Sequence, residues 1–205
     1  MEKVFVCESM YMPKSENIIK QARLLGYLLA DSGAQYVQGG CAKGLMGETL
    51  KAFLTKSKNV RFVIPEKYFD YDAPELEALV GKENFIYEKV SGEAGRLAKI
   101  KEADRIIVLP GGLGTLEELL YVNETARAGE HAKQIDLVNI DGYYDGFLQQ
   151  VNTSIEQGLS KPSVLKFNIV KNISQLKGFQ KEVKDTRSEK TNTKNHQIND
   201  CVVEK

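Results

Sequence analysis

The 205-residue sequence predicts an α/β fold, a doubly wound and mostly parallel sheet with helices on both faces. Three observations lead there. Short β-branched runs alternate with stretches whose apolar residues recur every three or four positions, the alternation of strand and crossover helix. One run, "RIIVL" (105–109), is apolar almost throughout, as a strand covered on both faces must be. Four of the segments that follow strands are small or polar, which gathers special turns at one edge of the sheet.

Taken in order, "KVFVCE" (3–8) is the first strand. Ser15 is placed to cap a helix in which Ile18, Ala22, Leu25 and Leu29 form one buried stripe, and Gly33 stops it. "AQYVQ" (34–38) is a second strand, "GLMGETLKAFLTK" (44–56) a second helix and "NVRFVIP" (59–65) a third strand closed by proline. Residues 66–82 fit no single pattern. "ENFIYEKV" (83–90) is a fourth strand, "GEAGRLAKIKEA" (92–103) a helix and "DRIIVLP" (104–110) the fifth strand. A helix over 114–128, a strand "KQIDLVNI" (133–140), a helix around 144–157 and a short strand near 167–170 complete a domain over 1–179. From Gln180 onward Lys, Asn, Thr and Glu dominate; this composition cannot offset its ordering entropy, so 180–205 is expected to be a flexible tail.

Composition excludes several kinds of function. Twenty-eight basic and 28 acidic residues cancel, so neither nucleic acid nor an anionic membrane is an expected partner. The opening "MEKVFVCESMYMPK" has too short an apolar stretch for a signal peptide, and no run approaches a membrane span, so a soluble, cytoplasmic protein is expected. Three widely spaced cysteines suggest neither a disulfide framework nor a zinc site. With only His131 and His196, histidine-based metal and triad schemes are poorly supplied; chemistry must use carboxylates, arginine, hydroxyls or backbone dipoles, and no cofactor or metal is expected.

The turns behind the strands are where a ligand would bind. "CES" (7–9), "QGGCAKGLMG" (38–47), "SGEAGR" (91–96) and "PGGLGT" (110–115) converge on one edge. Glycine lets backbone approach a ligand, and a following helix begins with unpaired N–H groups and partial positive charge, which together make an anion site. Neither loop has the Gly-Lys-Ser/Thr of a P-loop, and Glu117 stands where a dinucleotide fingerprint needs its last glycine. Thr115 and Glu118, three apart at a helix start, share a face and look toward whatever the loop holds. A carboxylate tolerates a nearby phosphate only if an extended ligand separates them. A nucleoside monophosphate does so, with phosphate on the glycine amides and its C1′ beside the glutamate.

"PGGLGTLEE" (110–118) matches a P-G-G-x-G-T-x-x-E signature and resembles the LONELY GUY (LOG) family, often mislabelled lysine decarboxylases. "GGCAKGLMG" (39–47), "VIP" (63–65) and "NIDGYYDGFL" (139–148) are similar to further segments of that family, and the resemblance spans roughly Val4 to Phe179. It implies a Rossmann-like homodimer that hydrolyses the N-glycosidic bond of a nucleoside 5′-monophosphate, of AMP or cytokinin type, to free base and ribose 5-phosphate. It makes Glu118 the catalytic carboxylate, Gly111, Gly112, Gly114 and Thr115 the phosphate loop, and Gly40, Gly44 and Ser9 further substrate contacts. Glu8 replaces the glycine of the family's C-G-S at the end of the first strand. The family's functional arginine stands nine positions before the aspartate that opens the fifth strand. Here that position is Gly95, so either Arg96 serves after a shift of one residue or the arginine is missing.

Two functions follow as expectations. One is the phosphoribohydrolase, with Glu118 and Arg96 as its catalytic pair. The other is a nucleotide- or cofactor-carrying protein that keeps the cradle without turnover; the displaced arginine and Glu8 favour it. A deoxyribosyltransferase-like enzyme explains the cradle poorly. A pyridoxal-dependent decarboxylase would need a Schiff-base lysine and partners for its ring, and no constellation proposes them.

Overall fold

A computed structural model describes residues 1–179; the tail expected over 180–205 lies outside the described residues. The sheet holds β1 (Lys3–Cys7), β2 (Gln35–Gln38), β3 (Val60–Pro65), β4 (Ile86–Val90), β5 (Arg105–Val108), β6 (Gln134–Val138) and β7 (Asn168–Val170). Between them run α1 (Glu16–Ser32), α2 (Gly44–Leu54), α3 (Glu66–Val80), α4 (Gly92–Ile100), α5 (Leu113–Arg127) and α6 (Asp145–Glu156). The order is β4-β3-β2-β1-β5-β6-β7, and every described pair is parallel, so the expected mostly parallel sheet is wholly parallel among these residues.

The chain first works outward from β1 to β4, then crosses back and continues from β5 on the other side of β1. Val4 accordingly faces Tyr36 on one side and Arg105 on the other. Strand order reverses at β1, and the loops behind β1 and β5 diverge there to leave a crevice.

Two apolar layers cover the sheet. Val4, Val6, Tyr36 and Ile64 pack against α1, α2 and α3 through Leu25, Leu50, Phe53 and Leu76. Phe5, Cys7, Val37 and Ile106 pack against the opposite layer, where Ile100 of α4 and Leu119 and Val122 of α5 are buried. In α1 the predicted stripe is the buried one, and the Ser15 hydroxyl accepts from the Ile18 amide. Gly26 lets α1 touch α2: a Cβ there would lie 2.3 Å from the Thr49 carbonyl oxygen.

Residues 66–80, which the sequence left open, form α3 with Pro74 inside it. An interior proline costs a helix about 3 kcal/mol. Ala73, Leu76 and Val80 are buried, and each large aliphatic side chain so buried contributes roughly 1.5–3 kcal/mol, enough to offset the proline. The fourth strand starts at Ile86, later than expected, because 82–84 make a short 3₁₀ turn.

At the C-terminal end, Arg105 of β5 donates from Nε and Nη2 to Asp136 Oδ2 at 2.9 and 2.6 Å, and from Nη1 to the Lys177 carbonyl at 2.6 Å. The Phe179 ring lies 4.5 Å from its guanidinium carbon. This buried pair docks the segment after β7 onto the sheet. No helix of the described residues is long and apolar enough to cross a membrane.

Candidate active site

The crevice at the strand ends is a cavity of about 530 Å³. Its cradle is built by the turn from β5 into α5. Gly111 lies under Thr115, where a Cβ would come within 2.1 Å of the threonine hydroxyl, so only glycine lets the loop fold back on the first turn of α5. At Gly112 and Gly114 a Cβ would meet nothing within 4 Å, so the backbone there is bare toward open space. Loop and helix together present unpaired amides and the positive end of a helix dipole.

Two tyrosines hold this turn from below. Tyr144 donates to the Leu109 carbonyl at 2.6 Å and Tyr143 to the Gly111 carbonyl at 2.7 Å. The Tyr143–Tyr144 pair that follows β6 thus braces the β5–α5 backbone.

Glu118, one turn into α5, is 4% exposed and projects into the cavity. Arg96 of α4 brings Nη1 to 2.8 Å from its Oε1, and Nη2 to 2.9 Å from Glu93 Oε2. Arg96 Nε is buried with no hydrogen-bond partner, so the guanidinium keeps donor capacity. On the sequence question of Arg96, the structure places it in the cavity, paired with Glu118. Gly39 makes the room: a Cβ there would lie 3.3 Å from Arg96 Nη1.

The charges in this space oppose one another. Burial raises Glu118 from the ordinary carboxyl value of 4.5 to about 7, against the pull of Arg96 and a hydrogen bond from Cys7. Glu8, 6% exposed, is also raised from 4.5 to about 7 by burial, against hydrogen bonds from Thr49 and Tyr36 and with a smaller push from Glu118. Burial and the adjacent Glu118 push the Cys7 thiol well up, which keeps it protonated. Asp72 is raised chiefly by burial, with Lys43 opposing.

Of the residues singled out in the sequence, Ser9, Gly40, Arg96, Gly112, Gly114, Thr115 and Glu118 all line the cavity. Gly111 and Gly44 stand behind its wall. Gly44 (φ 58°) lets α2 begin against the Met10 carbonyl, 2.2 Å from where a Cβ would be, and Gly40 (φ 87°) clears Ile64. Ser9 accepts from the Tyr11 amide through Oγ, which fixes the β1 loop. The sequence reading missed Glu93, Tyr68 and Asp72 as lining residues. Glu93 could have been found three positions before Arg96 on the same helical face. Tyr68 and Asp72 belong to α3, whose pattern the proline obscured. Among the described residues no cluster of three or more His, Cys, Asp or Glu is arranged to hold a metal ion.

A family profile described as possible lysine decarboxylase matches residues 46–178. A probable cytokinin riboside 5′-monophosphate phosphoribohydrolase of Oryza sativa subsp. japonica is 37% identical over 136 residues, 66% of this chain and 62% of the relative. Another rice protein, named a cytokinin riboside 5′-monophosphate phosphoribohydrolase, is 37% identical over 135 residues, 65% of this chain and 53% of its own length. A probable enzyme of the same name from Arabidopsis thaliana is 38% identical over 128 residues, 62% of this chain and 61% of the relative. The chain thus spans between 53% and 62% of the length of these relatives. In fold it is similar to the molybdenum cofactor carrier protein of Chlamydomonas reinhardtii, with TM-score 0.57 and 17% identity over 84% of this chain and 91% of that one. It is also similar to the molybdenum cofactor binding protein of Rippkaea orientalis, with TM-score 0.55 and 19% identity over 83% and 88%. At such identities the likeness is one of architecture.

Proposed function

This chain belongs to the family described as possible lysine decarboxylase, and from that membership and its cavity we propose that it hydrolyses the N-glycosidic bond of a nucleoside 5′-monophosphate, releasing free base and ribose 5-phosphate. The observation that carries this reading is the pairing of Arg96 with Glu118 at 2.8 Å beside the bare amides at the start of α5. The relatives named above are called phosphoribohydrolases, which agrees with it. Decarboxylation through a Schiff base needs a lysine at the substrate, and among the described residues none lines the cavity.

The residues divide the work. The amides of Gly112 and Gly114 and the Thr115 hydroxyl take the 5′-phosphate, an anion favoured at a helix N-terminus. Glu118, in its ionised form, accepts a proton from the attacking water and stabilises positive charge growing at C1′. Arg96 favours the ionised form of Glu118 against its burial and lends its spare donors to the phosphate or ribose. Substrate class, homodimeric state and a cytoplasmic setting are all part of the proposal; sedimentation at twice the 22.9 kDa chain mass tests the dimer.

AMP and N6-prenylated AMP, incubated with the protein, are expected to yield free base and ribose 5-phosphate, and Glu118→Gln to lower the rate roughly 100- to 10,000-fold. Nucleotide binding with no release above that variant would leave the carrier reading in its place.

A further inference from the structure

Glu8 lines the same cavity as Glu118 and has no part in the chemistry just described. The two carboxyls flank the end of β1 from opposite faces. Cys7 turns toward the α4–α5 layer, where its thiol meets Glu118. Glu8, the next residue, turns the other way. There Tyr36 of β2 donates to Oε1 at 2.9 Å and Thr49 of α2 to Oε2 at 2.6 Å. Among the described residues Glu8 has no ion-pair partner: two neutral hydroxyls hold it, its charged neighbour is Glu118, and the one arginine in the cavity pairs with Glu118 and Glu93.

The cavity runs from the cradle behind β5, over β1, to Gly40 and Cys41 behind β2 and Tyr68 and Asp72 behind β3. A nucleotide with its phosphate at the start of α5 and its base toward β2 and β3 carries its glycosidic bond over β1, between the two glutamates. Breaking that bond calls for two proton transfers: the departing nitrogen gains a proton and the attacking water loses one. A single carboxyl cannot do both at once.

We infer that Glu8 is the general acid of this reaction, protonating the departing base while Glu118 takes the proton of the attacking water. The C1′–N electron pair goes to the base, a ring nitrogen of the base takes the Glu8 proton, and the water oxygen bonds to C1′ as its proton passes to Glu118. Exchange with solvent then restores both carboxyls, so the net change is hydrolysis. Each Glu8 oxygen uses one lone pair on its hydroxyl partner, which leaves another for the acidic proton. Burial at a value near neutrality keeps a protonated fraction available. Glycine, which stands here in the pattern that the sequence resembles, has no proton to give, so the acid departs from that pattern. The inference rests on the hydrolase reading and is tested so that the two fail separately.

The test compares AMP with AMP methylated at N7, whose cationic base departs without being protonated. If Glu8 is the acid, Glu8→Gln lowers kcat on AMP about 100-fold or more and leaves kcat on the methylated nucleotide within about threefold. The alkaline limb of the AMP profile, which reports loss of the acid's proton, disappears in that variant. Tyr36→Phe, which removes a donor from the ionised form of Glu8, moves the limb to higher pH. Release from neither nucleotide by the unmutated protein would sink the hydrolase reading. Turnover of AMP that Glu8→Gln leaves unchanged, or lowers equally on both nucleotides, would overturn the acid alone. If N7 methylation prevents binding, an alkaline limb that persists in Glu8→Gln overturns it. The ratio between the two nucleotides is read within one protein, and partial misfolding, which lowers both alike, cannot imitate its change.

Discussion

Arg96 and the burial around Glu118 act on one proton in opposite senses. Burial favours the neutral acid and the guanidinium favours the carboxylate, with the balance at about 7. Arg96→Gln removes the guanidinium's attraction, so Glu118 should titrate higher and the acid limb of the kcat/KM profile should move up by about one pH unit or more, while Arg96→Lys should restore part of the difference. The two kinds of cradle glycine make a second residue-scale prediction. Gly111→Ala drives a methyl into Thr115 and should cost stability, read as a lower melting temperature, by roughly 1–3 kcal/mol. Gly114→Ala meets open space. It should leave the melting temperature nearly unchanged and raise KM, because its methyl occupies the surface we propose for the phosphate.

Among the elements, the turn from β5 into α5 is firm because another connection holds it. Tyr144→Phe leaves the buried Leu109 carbonyl without its donor and should cost about 1–3 kcal/mol in urea unfolding; Tyr143→Phe, at a half-exposed ring, should cost about 1 kcal/mol. The sequence showed the helix over 44–56, the stripe of α1 and the apolar β5 clearly, since each element's own pattern agrees with its packing. It showed the cradle as well, because glycines at a strand-to-helix turn state their geometry locally. It did not show α3, where tertiary burial outweighs a proline, nor the bracing by Tyr143 and Tyr144, which joins residues more than thirty positions apart. Glu8 was legible only as a departure from a pattern. Its hydroxyl partners lie on β2 and α2 and come together only in the fold.

At the scale of the molecule, two buried carboxyls with raised values make stability fall as pH rises. Both bind protons more tightly folded than unfolded, so the folded state holds the extra protons between the ordinary value of 4.5 and about 7. Stability is then fully present below about 4.5 as far as these groups are concerned, and falls as pH rises through that window. The fold should therefore be less stable at pH 8 than at pH 5.5 by on the order of a few kcal/mol, read as a lower unfolding temperature. Glu118→Gln should flatten the slope, and an unchanged slope in that variant would refute this origin for it.

The central place of β1 also bears on how the chain acquires its shape. One edge of β1 pairs with β2 about thirty residues later, while the other waits for β5, about a hundred residues on. A growing chain that has not yet delivered residues 105–108 therefore displays an open, apolar strand edge, the kind of surface that recruits other chains into aggregates. When β5 docks it closes that edge and at the same moment brings α5, with its cradle and Glu118, to the end of β1. The hazard of the unfinished chain and its lack of the crevice end in the same event.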